Sequence, residues 1–78
     1  MPEQKITVYT RENCTKSERL RKMLNRWGVD FEEKNVTENR TYLKELQNHN
    51  IFAAPVTFIG DQCIQGVQHD RLKSELDL

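Results

Sequence analysis

Residues 6–36 switch hydrophobic period twice, and this limits the possible folds more than any other feature of the chain. Lys5 to Thr10 reads Lys-Ile-Thr-Val-Tyr-Thr, and its β-branched and aromatic residues favour a strand. Leu20, Met23, Leu24 and Trp27 then recur at i, i+3, i+4 and i+7, one apolar stripe on a helix from Thr15 to Trp27. Gly28 is placed to end that helix in a left-handed conformation. Val29, Phe31 and Val36 return to strand-like alternation over Val29–Val36. Strand, helix and strand in about thirty residues is the span of a βαβ unit with parallel strands.

Thr37 is the expected N-cap of a second helix, with Tyr42, Leu43 and Leu46 on its apolar side and an end near Asn48 to Asn50. After Pro55, the run Val56 to Ile59 is a short buried strand, Gly60-Asp61 a turn, and Cys63 to Gln65 a returning strand. Asp70 near its start and Leu72 and Leu76 on one face mark a short closing helix. The expected order is βαβ, α, ββ, α, an α/β fold formed by one domain over residues 1–78, enough chain for a single core.

Composition narrows the function classes. Residues are 36% hydrophobic and 31% charged, which suits a compact domain with a thin core. Twelve cationic and twelve acidic residues cancel, so bulk charge gives no reason to expect nucleic acid or an anionic membrane as partner. The mostly apolar run Ile51 to Ile59 is too short to span a bilayer, and the start Met-Pro-Glu-Gln-Lys lacks an apolar signal-peptide core. A cytoplasmic monomer is the expectation. Cys14, Cys63, His49 and His69 match no zinc spacing, so no metal site is expected.

Cys14 follows a strand and opens a helix, where free N–H groups and a partial positive charge favour thiolate over thiol. Ser17 lies three residues on, on the same face of the first turn, and its hydroxyl can donate to the sulfur anion. Arg11 and Lys16 add positive charge and Glu12 opposes it. The plainer alternative is an inert cysteine that caps the helix. Over residues 11–26, Arg11, Lys16, Arg19, Arg21, Lys22 and Arg26 face only Glu12 and Glu18, either a solvated helix face or a means of steering an acidic partner to Cys14.

Three stretches, taken in this order, resemble the glutaredoxins and the similar NrdH-type redoxins that reduce ribonucleotide reductase. They are Val8-Tyr9-Thr10-Arg11-Glu12-Asn13-Cys14, Ala53-Ala54-Pro55-Val56 and Gly66-Val67-Gln68-His69-Asp70-Arg71-Leu72, and the resemblance covers Lys5–Leu78. It implies a thioredoxin-like, glutaredoxin-type domain with a four-stranded mixed sheet flanked by three helices. It also implies that Cys14 attacks a disulfide, that Ala54–Pro55 is cis, and that the backbone of Ala54 binds substrate. Thr15, Lys16, Gly66 and Val67 complete the implied binding rim, and Arg11 stands where such proteins hold a glutathione carboxylate. The implied activity is thiol–disulfide exchange on a protein disulfide, such as that of ribonucleotide reductase. No cofactor is implied; glutathione as co-substrate, or thioredoxin reductase, supplies the electrons.

Most disulfide-reducing members carry Cys-x-x-Cys, whereas this chain has Cys14-Thr15-Lys16-Ser17. Ser17 cannot release a mixed disulfide as a second thiol does. It is either native, giving a monothiol redoxin, or a replacement for a resolving cysteine. Cys63 is expected to open the fourth strand, far from Cys14, and to act as a small hydrophobe. His69 is expected to be a solvated helix-start residue and His49 a loop residue. Two other readings remain at this point. One is a monothiol glutaredoxin that binds a 2Fe-2S cluster with glutathione, although Thr15-Lys16 departs from the usual Cys-Gly-Phe-Ser; the other is a redox-inert adaptor on the same fold.

Overall fold

The computed structural model describes residues 5–78; residues 1–4, which include most of the polar start discussed above, lie outside it. Its elements are β1 (Ile6–Thr10), α1 (Thr15–Arg26), β2 (Glu32–Asn35), α2 (Arg40–Asn48), β3 (Val56–Ile59), β4 (Gln62–Gln65) and α3 (His69–Glu75). They form one mixed sheet in the order β2-β1-β3-β4, with three helices, as expected of a thioredoxin-like domain. β1 pairs parallel with β2 and antiparallel with β3, which forms a hairpin with β4.

Strand alternation divides the core between the two faces of the sheet. Val8, Ile59 and Ile64 point to one face, where Leu20 and Leu24 of α1 and Leu72 of α3 complete a fully buried cluster. Tyr9 and Val56 point to the other face and pack with Val36, Ile51 and Leu46 of α2.

The helix ends show how local sequence sets these positions. Gly28 adopts φ 70°, while the Gly28 and Val29 N–H groups donate to the carbonyls of Asn25 and Leu24, a Schellman closure. Asn50 closes α2 in the same way at φ 60°, with Ile51 N–H donating to Leu46.

The structure departs from the sequence expectation at the cap of α2, the extent of β2 and the exposure of Leu43. α2 is capped by Asn39, whose side chain accepts from Thr41 N–H, rather than by Thr37. Thr37 instead accepts from Glu12 N–H at 3.1 Å and ties the loop after β1 to the end of β2. β2 covers only Glu32–Asn35, because Val29 and Phe31 pack on the α1 side before the strand begins. Leu43 is exposed, leaving Tyr42 and Leu46 as the packed side of α2. Among the described residues no helix is long and apolar enough to cross a membrane.

Candidate functional site

The strand register brings the three motif stretches to one end of the sheet. Tyr9, near the end of β1, pairs with Val56, the first residue of β3, and Val56 pairs with Gln65, the last residue of β4. The loops carrying Arg11 to Cys14, Ala54-Pro55 and Gly66-Val67 therefore leave the sheet together. The Ala54–Pro55 bond is cis, as the resemblance implied. Gly66, at φ 76°, donates its N–H to the Pro55 carbonyl at 2.8 Å and fixes the third loop against the second. The N–H and carbonyl of Ala54 have no partner among the described residues.

Cys14 is the N-cap residue of α1: its backbone is extended, and its carbonyl accepts the first helical bond from Glu18 N–H at 3.1 Å. The thiol is half-buried and faces the first-turn N–H groups without closing a capping hydrogen bond on them. As a thiolate it is a stronger acceptor, and its surroundings favour that form. The Ser17 hydroxyl does most to hold the thiol below its ordinary value, followed by Ser17 N–H; partial burial opposes the shift, and Lys16 N–H and the Arg11 charge add to it.

Ser17 is itself buried, and its oxygen accepts from Arg11 N–H at 3.2 Å. With that bond made, its single hydrogen remains available for donation to the sulfur anion. The N–H bond from Arg11 was not visible in the sequence, since a backbone donor six positions earlier becomes a partner only when the loop folds back. Arg11, Thr15 and Lys16 are exposed at the rim, Ala54, Gly66 and Val67 are half-buried, and Pro55 is buried.

Cys63 stands apart. It is the second residue of β4, after Gln62, and pairs with Phe58, which is level with Thr7 in mid-sheet. It packs on the α2 face, and burial pushes its thiol up, against a weaker opposing effect of Arg71. Both cysteines are free. His49 is the C-cap of α2 and lies against Phe58 with ring centroids 5.2 Å apart. His69 begins α3 and meets Trp27 edge-on at 5.2 Å, a contact the sequence did not reveal. Among the described residues no cluster of three or more His, Cys, Asp or Glu side chains is placed to hold a metal ion.

The sheet order, the cis-proline loop and the cysteine at the start of α1 define a class, the small redoxins of the thioredoxin fold. The chain belongs to the glutaredoxin family, whose family model matches residues 6–64. It is 27% identical over 67 residues to the glutaredoxin-like protein NrdH of Lactococcus lactis, covering 86% of this chain and 93% of that one. The solved NrdH-redoxin of Escherichia coli is 27% identical, with TM-score 0.82 over 90% of this chain and 92% of that one. A glutaredoxin from Archaeoglobus fulgidus shares the fold at 23% identity and TM-score 0.82, covering 94% of this chain and 86% of that one.

Proposed function

We propose that the protein is a thiol–disulfide oxidoreductase in which Cys14 is the only reacting thiol. The observation that carries this is the placement of Cys14 at the head of α1, where Ser17 and two helix N–H groups favour its thiolate beside the cis-proline loop. The Cys14 thiolate attacks one sulfur of a substrate disulfide. A new S–S bond forms to that sulfur, and the other leaves as a thiolate that takes a proton from water. The unpaired N–H and carbonyl of Ala54 bind the substrate backbone next to the attacked sulfur, with Arg11, Thr15, Lys16, Gly66 and Val67 around it.

Ser17 holds the sulfur anion but cannot displace the substrate, so an outside thiol attacks the mixed disulfide and restores Cys14. Family resemblance favours a protein disulfide as substrate, that of ribonucleotide reductase being the model case. It favours glutathione or thioredoxin reductase as the source of electrons. The test is disulfide reduction by the full chain, coupled to glutathione in one assay and to thioredoxin reductase in another. Turnover with one reductant that is lost in Cys14→Ala supports the reading; no turnover with either, or turnover that survives Cys14→Ala, overturns it.

A further inference from the structure

One groove borders the site without entering the chemistry just described. It has a volume of about 440 Å³ and runs between α1 and the start of α3. Thr15, Glu18, Arg19, Lys22 and Arg26 line one side of it, and their spacing puts them on a single stripe of α1. Met23, Trp27 and the imidazole of His69 form the rest of the lining, with the Trp27 and His69 rings in edge-on contact and His69 Nδ1 at 3.2 Å from Asp70. The groove therefore begins at the residue after Cys14 and ends over the tryptophan.

Its charge is one-sided. Arg21, on the neighbouring face of α1, is paired with Glu33 at 3.4 Å. Arg19, Lys22 and Arg26 are exposed and in no ion pair among the described residues, and the single carboxylate of the lining, Glu18, sits at the Cys14 end. From Thr15 to Arg26 the helix rises about 16 Å, the reach of about five residues of extended peptide.

We infer that this groove docks an acidic segment of the disulfide-bearing partner, lying within about five residues of the cysteine that Cys14 attacks and carrying an apolar side chain that rests on Trp27. Its carboxylates meet Arg19, Lys22 and Arg26, and the residue next to the attacked cysteine, which lies against Glu18, is uncharged or basic. The inference rests on Cys14 as nucleophile and adds the chemistry of the segment that Cys14 selects.

The probes are synthetic peptides with one cysteine held as a thiopyridyl mixed disulfide, so that attack by Cys14 on the peptide sulfur releases an absorbing thione. One set carries a phenylalanine and three glutamates in a short arm on either side of the cysteine; matched sets carry glutamines or lysines instead. With the wild-type chain at low ionic strength, at least one glutamate arm should react about tenfold or more faster than its glutamine match. That ratio should shrink as salt rises towards 0.15 M, where the screening length falls to about 8 Å. It should approach one in an Arg19→Gln, Lys22→Gln, Arg26→Gln variant.

Trp27 is the sole tryptophan, so a glutamate peptide with serine for cysteine should change its fluorescence saturably in the wild type and not in the variant. Equal rates for glutamate, glutamine and lysine arms, or a preference that survives in the variant, overturn the groove while leaving Cys14 as nucleophile. If no peptide reacts, Cys14 is not the nucleophile and the reading beneath fails as well.

Discussion

Replacing Ser17 by alanine removes two interactions with one atom. The buried Ser17 oxygen accepts from Arg11 N–H at 3.2 Å, and its hydroxyl is the main group favouring the Cys14 thiolate. A hydrogen bond to a charged group contributes about 1.5–3 kcal/mol, and the lower end applies because water also reaches the half-buried sulfur. At 1.36 kcal/mol per tenfold, the equilibrium constant for forming the thiolate should fall about tenfold. The orphaned Arg11 N–H costs about 1 kcal/mol more, since Arg11 is exposed and water replaces part of the bond. For a domain this small, that lowers the melting temperature by about 4–8 °C.

The assay is iodoacetamide alkylation across pH, with the modified cysteine identified by peptide mass spectrometry. Cys63, on the far face of the sheet, is an internal reference in the same sample. In Ser17→Ala the Cys14 pH profile should move up towards that of an ordinary thiol while the Cys63 profile stays put. An unmoved Cys14 profile in a folded Ser17→Ala protein refutes the assigned role of the hydroxyl.

Ser17→Cys should form an internal disulfide with Cys14 on mild oxidation, protecting both positions from alkylation; continued reactivity of both refutes the proximity of the two side chains. The lowered Cys14 thiol binds fewer protons in the folded, reduced state than in the unfolded one. Its stabilisation is therefore present above the ordinary thiol value of 9.0 and lost as pH falls through the folded value, so the melting-temperature gap between wild type and Cys14→Ala should widen with rising pH across that window, and a flat gap contradicts the shift. Leu24→Ala, at a position with no exposure, should cost roughly 2–5 kcal/mol by chemical denaturation, and a loss well below that means that the α1–sheet packing is wrong. Thr57 is fully buried between Val8 and Ile64 with no partner for its hydroxyl among the described residues, so Thr57→Val should raise stability by about 1 kcal/mol, and destabilisation would reveal a partner.

The central elements were legible because their signals are local. The Leu20, Met23, Leu24 and Trp27 stripe marks α1, Gly28 marks its end, and Cys14 at the junction of strand and helix marks the candidate nucleophile. The cis bond at Pro55 was legible only by resemblance, since no local signal separates it from a trans proline that opens an edge strand. β2 was harder because it is an edge strand reading Glu-Glu-Lys-Asn, with little apolar content of its own. Thr37 and Asn39 are both competent caps; the choice fell to Asn39 once Thr37 was taken by the Glu12 N–H of a distant loop. The contact of His69 with Trp27 depends on how α3 packs back on α1, which no short window of sequence encodes.

The most direct test of Cys14 as a nucleophile that starts but does not finish a dithiol cycle is the intact mass of the reduced chain after excess bis(2-hydroxyethyl) disulfide. The expected result is one mercaptoethanol adduct, located on Cys14, that persists until glutathione is added and then disappears. An adduct on Cys63 instead, or an internal Cys14–Cys63 disulfide with no adduct, would contradict it.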